Sequence, residues 1–346
     1  MPKQSICFSA DRTCHHDDYC LLISKFLPIT NVKSLSKKIW WLLSNRTIFF
    51  LDIDSYDLLF APLIILRSLW GGKGFGVSVR TEYLIQPLTF IGFIRNIATS
   101  KYPHLRIKQF LFYLIKNFSH TSIISIHKNH PDEDSMTKYV DAFVYDPQLW
   151  DLSLLKFQPT KPTEIPSDFF DNDMPKVLIP GRLNEQRSRD ELMHFLLNKK
   201  EREQEPYIYL IAGTMAREDE DRLRNLSYCV LINRFVSNEE LHYLMSSCNF
   251  VYCFYTNDRP SGFFGRSIQL NKWVLTRKNG YLHNNYSAYN KQLAVDVLEE
   301  FPKDKFDMLR KPDVANPFDN SIEFGLLMSK KVEVFTDIGN IAHQVT

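Results

Sequence analysis

The chain has 346 residues, 44% hydrophobic and 24% charged, with 12 glycines and a net charge of +2. That composition is globular and excludes a disordered or collagen-like chain, and the length suits two α/β lobes or one large one. The most apolar run, Leu58 to Leu66, ends at Arg67 and falls short of the roughly 20 residues of a spanning helix, so no transmembrane segment is expected.

In the first half, short β-rich runs alternate with longer helical ones, the signature of βα units around a parallel sheet. Strands are predicted at Ser5–Ser9, Thr47–Ile53, Phe75–Val79, Ser122–Ile126 and Ala142–Tyr145, with helices at Tyr56–Leu69 and Leu105–Phe118. The first strand runs into a dense polar loop, Ala10 to Cys20. There His15 or His16 beside Asp17 or Asp18 could deprotonate a hydroxyl nucleophile, because imidazole titrates near neutral pH and the acid orients it. The same acids could instead cap the next helix. Zinc binding by Cys14, His15, His16 and Cys20 is disfavoured, since adjacent ligands do not easily close a tetrahedron, and no metal is expected.

Strand ends face the ligand edge of such sheets. Asp52 and Asp54, Arg80 and Glu82, and His127 with Lys128 are the residues so placed, and His127 is the further candidate for chemistry. Gly71-Gly72-Lys73-Gly74 is either a phosphate-binding nest or a helix C-cap and turn. Between Phe60 and His130 there are nine Lys/Arg (Arg67, Lys73, Arg80, Arg95, Lys101, Arg106, Lys108, Lys116, Lys128) against Glu82 alone, interleaved with aromatics. Such a stretch suits an anionic membrane surface or a phosphate-bearing acceptor, or else the solvated faces of ordinary helices. It carries no recognised nucleic-acid motif, so no nucleic-acid partner is expected. Six cysteines without Cys-x-x-Cys pairing, and no signal segment, place the expected setting in the cytoplasm, with the inner face of the membrane as an option.

A Pro-rich, acidic stretch from Gln158 to Pro175 interrupts the pattern. The expected division is an N-terminal lobe over 1–157, a linker over 158–175 and a C-terminal lobe over 176–346, with the last helix free to pack back on the N-terminal lobe. The alternation then restarts: strands at Lys176–Ile179, Tyr207–Ala212, Cys229–Ile232, Phe250–Phe254 and Val274–Thr276, helices at Arg189–Asn198, Asn238–Ser246 and Gly265–Leu270. Gly181-Arg182 with Arg187 puts two guanidiniums five residues apart on a strand-end loop, a geometry suited to phosphate oxygens. Pairing with local acids such as Glu185 or Asp190 is the other reading. Ala212-Gly213 ends a strand in a small turn where backbone can approach a ligand. Ser237 with Glu240 makes a capping box. Ser261-Gly262 at a helix start offers N–H groups and a positive dipole end to an anion.

In order and spacing, these pieces resemble the donor-binding half of GT-B glycosyltransferases, above all the family 4-like group, over roughly Lys176 to Tyr281. The matching residues are Gly181-Arg182 with Arg187, Ala212-Gly213, Phe235-Val236-Ser237-Asn238-Glu239-Glu240-Leu241, Ser261-Gly262-Phe263-Phe264-Gly265 and Trp273-Val274-Leu275. The resemblance implies two tandem Rossmann-like lobes with an inter-lobe cleft. It implies sugar transfer from a nucleotide diphosphate sugar to a saccharide or lipid-linked saccharide, as in surface polysaccharide or glycolipid synthesis, with no cofactor beyond that donor and no metal. Arg182 and Arg187 would hold the diphosphate. The backbone of Phe235 and Val236 would meet the base, and Ser261, Gly262 and the helix start with Gly265 and Arg266 would take the distal phosphate and sugar. The family commonly has two glutamates across this turn, and here the same spacing gives Ser261 and Gln269. Gln269 can still hydrogen-bond a ribose. A non-catalytic binding or scaffolding subunit is therefore the alternative.

Overall fold

The computed structural model describes residues 5–8, 14–26, 28–54, 59–79, 103–146, 149, 158–167, 169–170, 173–198, 206–257, 259–301, 316–318 and 327. The chain divides into two compact units, Met1–Gln148 with Asn320–Thr346, and Leu149–Asp319.

In the first unit, β-branched and aromatic runs give six parallel strands: β1 (Ser5–Phe8), β2 (Ile29–Val32), β3 (Ile48–Phe50), β4 (Gly74–Ser78), β5 (Thr121–Ser125) and β6 (Ala142–Phe143). They pair in the order β2-β1-β3-β4-β5-β6. Alternate residues Ile6, Phe8, Ile48, Phe50 and Ile123 pack one face of the sheet, and Cys7, Phe49, Phe75 and Ile124 are buried as well. Burial on both faces is what parallel strands flanked by helices require. The described helices here are α1 (Cys14–Phe26), α2 (Leu35–Leu42), α3 (Ala61–Leu66), α4 (Pro103–Phe118) and the single turn α5 (Glu133–Met136).

In this unit one expectation is corrected and one open alternative is resolved. The polar run after β1 is not a loop up to Cys20, because α1 begins at Cys14. Acids at Asp17 and Asp18 favour a helix N-terminus, and Tyr19, Leu22 and Ile23 supply the buried stripe. The glycine run Gly71–Gly74 is a cap and turn. Gly71, at φ +75, ends the 3₁₀ turn Arg67–Trp70, and the N–H groups of Gly71, Gly72 and Gly74 donate to Ser68, Arg67 and His120 carbonyls.

Arg67 anchors that corner from within. It is wholly buried, and its guanidinium donates to the carbonyls of Lys73 (2.6 Å), Ser44 (3.2 Å) and Arg46. Burial pulls its pKa down to about 10, so it stays charged at neutral pH.

In the second unit, six more parallel strands are β7 (Lys176–Pro180), β8 (Ile208–Ala212), β9 (Cys229–Ile232), β10 (Phe250–Cys253), β11 (Trp273–Arg277) and β12 (Gln292–Val295). Their order is β12-β11-β10-β7-β8-β9. Around them the described helices are α6 (Arg189–Asn198), α7 (Arg217–Leu223), α8 (Asn238–Ser247), α9 (Gly262–Gln269) and α10 (Tyr281–Asn285). Numbered within the unit, this is the doubly wound order 3-2-1-4-5-6, which reverses between β7 and β10 and opens a crevice at their carboxyl ends. Residues expected as linker are tied into this unit: Thr160 N–H donates to Glu239 O (3.2 Å), and Glu164 pairs with Arg234 (2.6 Å).

Replacing Arg67 by alanine removes charged hydrogen bonds and leaves three carbonyls without their donor. The unfolding free energy should fall by about 3 kcal/mol or more, seen as a lower urea midpoint at unchanged slope. A loss of under about 0.5 kcal/mol, as at an ordinary surface site, would show that Arg67 does not hold the corner.

Candidate functional site

The crevice of the second unit is built from the turns after β7, β8 and β10. Gly181 follows β7 at φ +84, a left-handed conformation that glycine tolerates. Its N–H donates to Ala212 O (2.7 Å), and Leu183 N–H donates to Thr214 O (3.0 Å), so the β7 loop lies against the end of β8. Gly213 sits directly behind, and a Cβ there would fall on the Gly181 carbonyl oxygen. The loop then forms a 3₁₀ turn, Glu185–Arg187, which returns Arg187 over Gly181.

Arg187 is the centre of this arrangement. It donates to Pro180 O, its guanidinium carbon stands 4.9 Å from the Phe263 ring centroid and 5.5 Å from that of Tyr255, and a Cβ on Gly181 would collide with it. Arginine stacked on aromatic rings is pre-organised for planar recognition. Tyr255 follows β10 and is buried, which pushes its pKa up, and it accepts at 3.5 Å from Ser261 Oγ. Thr256 N–H donates to Gln186 O (3.2 Å), joining the β10 and β7 loops across the crevice.

Ser261 is the N-cap of α9, its Oγ accepting from Phe264 N–H. The next first-turn N–H groups, those of Gly262 and Phe263, are donors that helix geometry leaves over. Arg187 and the start of α9 thus converge, through Phe263, on one place that can hold an anion.

Of the sequence-predicted donor residues, the structure brings together Arg187, Gly213, Ser261 and Gly262. Arg182 is exposed instead and lines, with Asn184, Gln186, Arg189 and Thr214, an open groove of about 640 Å³. The helix expected from Gly265 begins at Gly262, so Gly265 N–H already donates to Ser261 O (2.9 Å) and is not available to a phosphate. Arg266 is buried, with Nη1 3.5 Å from Asn238 Oδ1 at the start of α8. Gln269 is half-buried in the last turn of α9. Phe235 projects into solvent, 77% exposed, and Val236 is half-buried. Sequence reading missed Tyr255 and the stacking role of Phe263. The available signal was an aromatic residue at each end of the loop that joins β10 to α9.

The candidates for acid–base chemistry fare differently. His15, His16 and Asp17 lie within α1, and their side chains are outside the described residues, as are Arg80 and Glu82. His127 is not at an accessible strand end: it is wholly buried, with Nδ1 3.2 Å from Ser125 Oγ. Asp54 accepts from Ser78 Oγ (2.9 Å) and Val79 N–H, and so closes the end of β3 onto β4. The basic stretch is partly structural too. Besides Arg67, Lys108 donates to Asp54 O (2.8 Å) and Lys116 to Val140 O (2.7 Å). Among the described residues no group of His, Cys, Asp and Glu is arranged to hold a metal, and no helix is long and apolar enough to cross a membrane.

Known structures share this architecture. The UDP complex of S. aureus MnaA matches over 96% of this chain and 97% of its own, with 10% identity and a TM-score of 0.55. The UDP complex of Anabaena HepE matches over 96% and 100%, with 10% identity and a TM-score of 0.57. The catalytic domain of starch synthase IV from Arabidopsis thaliana, bound to ADP and acarbose, matches over 86% and 76%, with 11% identity and a TM-score of 0.53. At these identities the likeness is one of fold, the two Rossmann-like units of the GT-B architecture. No protein-family model matches the sequence, and no curated protein does.

Arg234 holds the segment that leads into α8. It is bidentate to Glu164 (2.6 and 2.9 Å) and to Glu240 (2.8 and 2.7 Å), and Glu240 completes the predicted capping box with Ser237. The hydrogen bond from Arg234 is the chief reason that Glu164 is held down at about 2 and that Glu240 is lowered. Both folded-state values lie below the unfolded one, so the stabilisation is present above about pH 4.3 and is lost as pH falls from there towards 2. The urea midpoint should decline over that window, and Glu240→Gln should flatten the decline while lowering the midpoint at neutral pH. Parallel pH profiles for variant and parent would deny the network this role.

Proposed function

We infer that the second unit binds the diphosphate of a nucleotide sugar, and that the chain transfers that sugar to a saccharide or lipid-linked saccharide. One observation carries the reading: at the switch point between β7 and β10, Arg187 stands over Gly181 between the Tyr255 and Phe263 rings, beside the free N-terminal turn of α9. It is supported by the contents of like-folded structures, since MnaA and HepE hold UDP and starch synthase IV holds ADP.

Chemically, departure of a nucleoside diphosphate builds negative charge on its terminal phosphate. A fixed guanidinium and oriented N–H groups stabilise that charge without reorganising, which lets the leaving group depart without a bound metal. Arg182, on the same loop, would screen the second phosphate. Gly262 would let the chain approach the anion closely, and the Phe235–Val236 backbone would border the base. For an inverting reaction His15 or His16, with Asp17 or Asp18, would supply the base.

A second reading, a donor lobe that binds without transferring, is favoured by Ser261 and Gln269 where the resembling family has carboxylates. The two part on a turnover assay with a panel of nucleotide sugars.

Binding comes first. A nucleotide that recognises the native state should raise the melting temperature by mass action, with nucleoside diphosphates giving more than monophosphates. Arg187→Ala should weaken diphosphate binding by about 1.5–3 kcal/mol, the worth of a charged hydrogen bond. Gly181→Ala should weaken it too, by pushing Arg187 out of its stack. Unchanged affinity in both variants, with the fold intact, would remove the switch point from the site.

A further inference from the structure

The first unit carries an apolar surface of its own. Helix α2 reads Leu35-Ser36-Lys37-Lys38-Ile39-Trp40-Trp41-Leu42. At 100° per residue, Lys38 and Leu42 share the buried face. Leu35, Ile39 and Leu43 follow one another at i, i+4 and i+8 along the flank of that face, Trp40 stands opposite it, and all four are exposed. Their exposures are 59%, 42%, 54% and 70%. A soluble helix normally puts charge on its exposed side.

The stripe does not stop with the helix. Ser44, next after Leu43, is held through its carbonyl by Arg67, and Arg67 opens the 3₁₀ turn whose Leu69 and Trp70 are also exposed. Ser68 in that turn accepts from His120 N–H, two residues beyond exposed Phe118. The hydrogen bonds therefore bring the end of α2, the 3₁₀ turn and the end of α4 together at one margin of the unit, where Trp40 of α2 and Trp70 of the turn are both exposed.

Charge identifies the occupant. From Tyr19 to Leu51 the cations that reach the surface are Lys25, Lys33, Lys37 and Arg46, with no acid in that stretch, and from Leu58 to Val79 Lys73 does so, again with no acid, while Lys38 and Arg67 are buried. Lys37 is exposed at the border of the apolar stripe. A second copy of the chain would bring the same cations against themselves, which an isologous contact penalises. Apolar side chains with tryptophan, bordered along α2 and the 3₁₀ turn by cations, fit the headgroup boundary of an anionic bilayer.

We propose that the α2 margin is a docking surface for an anionic lipid bilayer. It overlaps the cation-rich stretch noted in the sequence at the 3₁₀ turn and the end of α4, and adds to it the apolar face of α2. It is also independent of the nucleotide site.

The test is co-flotation of the full chain with phosphatidylcholine vesicles, with and without phosphatidylglycerol. Binding should favour the anionic vesicles and weaken with added salt. Trp40→Glu should weaken it at least about tenfold, from the loss of one large buried apolar side chain. Lys37→Ala should weaken it about fivefold, as for one cation at an anionic surface. Both variants should keep the parent's melting temperature, because both side chains are exposed, and that control holds whether or not a nucleotide binds. Absent flotation, equal flotation on both vesicle types, or flotation that neither variant reduces would overturn the proposal. So would a dimer in light scattering that Trp40→Glu converts to monomer, since that would assign the margin to a second copy.

Discussion

The candidate site depends on one close approach of backbone to backbone. Gly213 leaves β8 so near the carbonyl of Gly181 that no side chain fits between them. Because the two turns are in contact, the loop after β7 has a fixed starting point, and its bonds to Ala212 and Thr214 keep it there. Gly181 in turn leaves just the room that the Arg187 guanidinium fills. A larger residue at either glycine would move the cation away from Phe263 and Tyr255, and so away from α9. Two absent Cβ atoms thus position one charge, and the aromatic rings and Pro180 carbonyl hold it once placed.

Much of this was legible in the sequence, for physical reasons that also mark its limits. Interior strands such as Tyr207–Ala212 and Phe250–Phe254 stand out because both faces must be apolar, and they are found within a residue or two of their predicted bounds. The strands that went unread, Ile29–Val32 and Gln292–Val295, are both at sheet edges. Each pairs on one side alone and has polar residues at Thr30 and Asn31 or at Gln292, so its pattern is weak. Caps are local chemistry, so Ser237 with Glu240 was readable outright. The α9 start was displaced by three residues because Ser261 caps with a serine and no acid in the first turn, a weaker signal.

Charges were legible as a count and not as places. Arg67, Lys108 and Lys116 look in sequence like a basic surface, yet each reaches across to main-chain carbonyls that helix and strand ends leave over. Arg187 and Arg234 are equally alike in sequence. Arg234 meets two carboxylates and becomes a tie between the 158–167 segment and α8. Arg187 meets a carbonyl and two rings, and among the described residues no acid pairs with it to neutralise its charge. The difference lies in where residues distant in sequence arrive, Glu164 in one case and Phe263 in the other, and no local pattern encodes that.

The two sheets also show why a donor reading attaches to the second unit. Each reverses its strand order once, between β1 and β3 in the first and between β7 and β10 in the second. Beside the first reversal, on the β4 side of β3, the described end of β3 is drawn towards β4: Asp54 takes hydrogen bonds from Ser78 and Val79, and Lys108 caps its carbonyl. An acid there repels phosphate and its bonds close the strand end. At the second reversal the Gly181 turn is bonded to β8, the β10 side is joined to the β7 loop by Tyr252 to Arg187 O and Thr256 to Gln186 O, and a cation and a helix N-terminus stand there. Among the described residues the same topology therefore gives an internally bonded end with an acid in one unit and a cationic one with unused N–H donors in the other, and the latter has the electrostatics that a diphosphate needs.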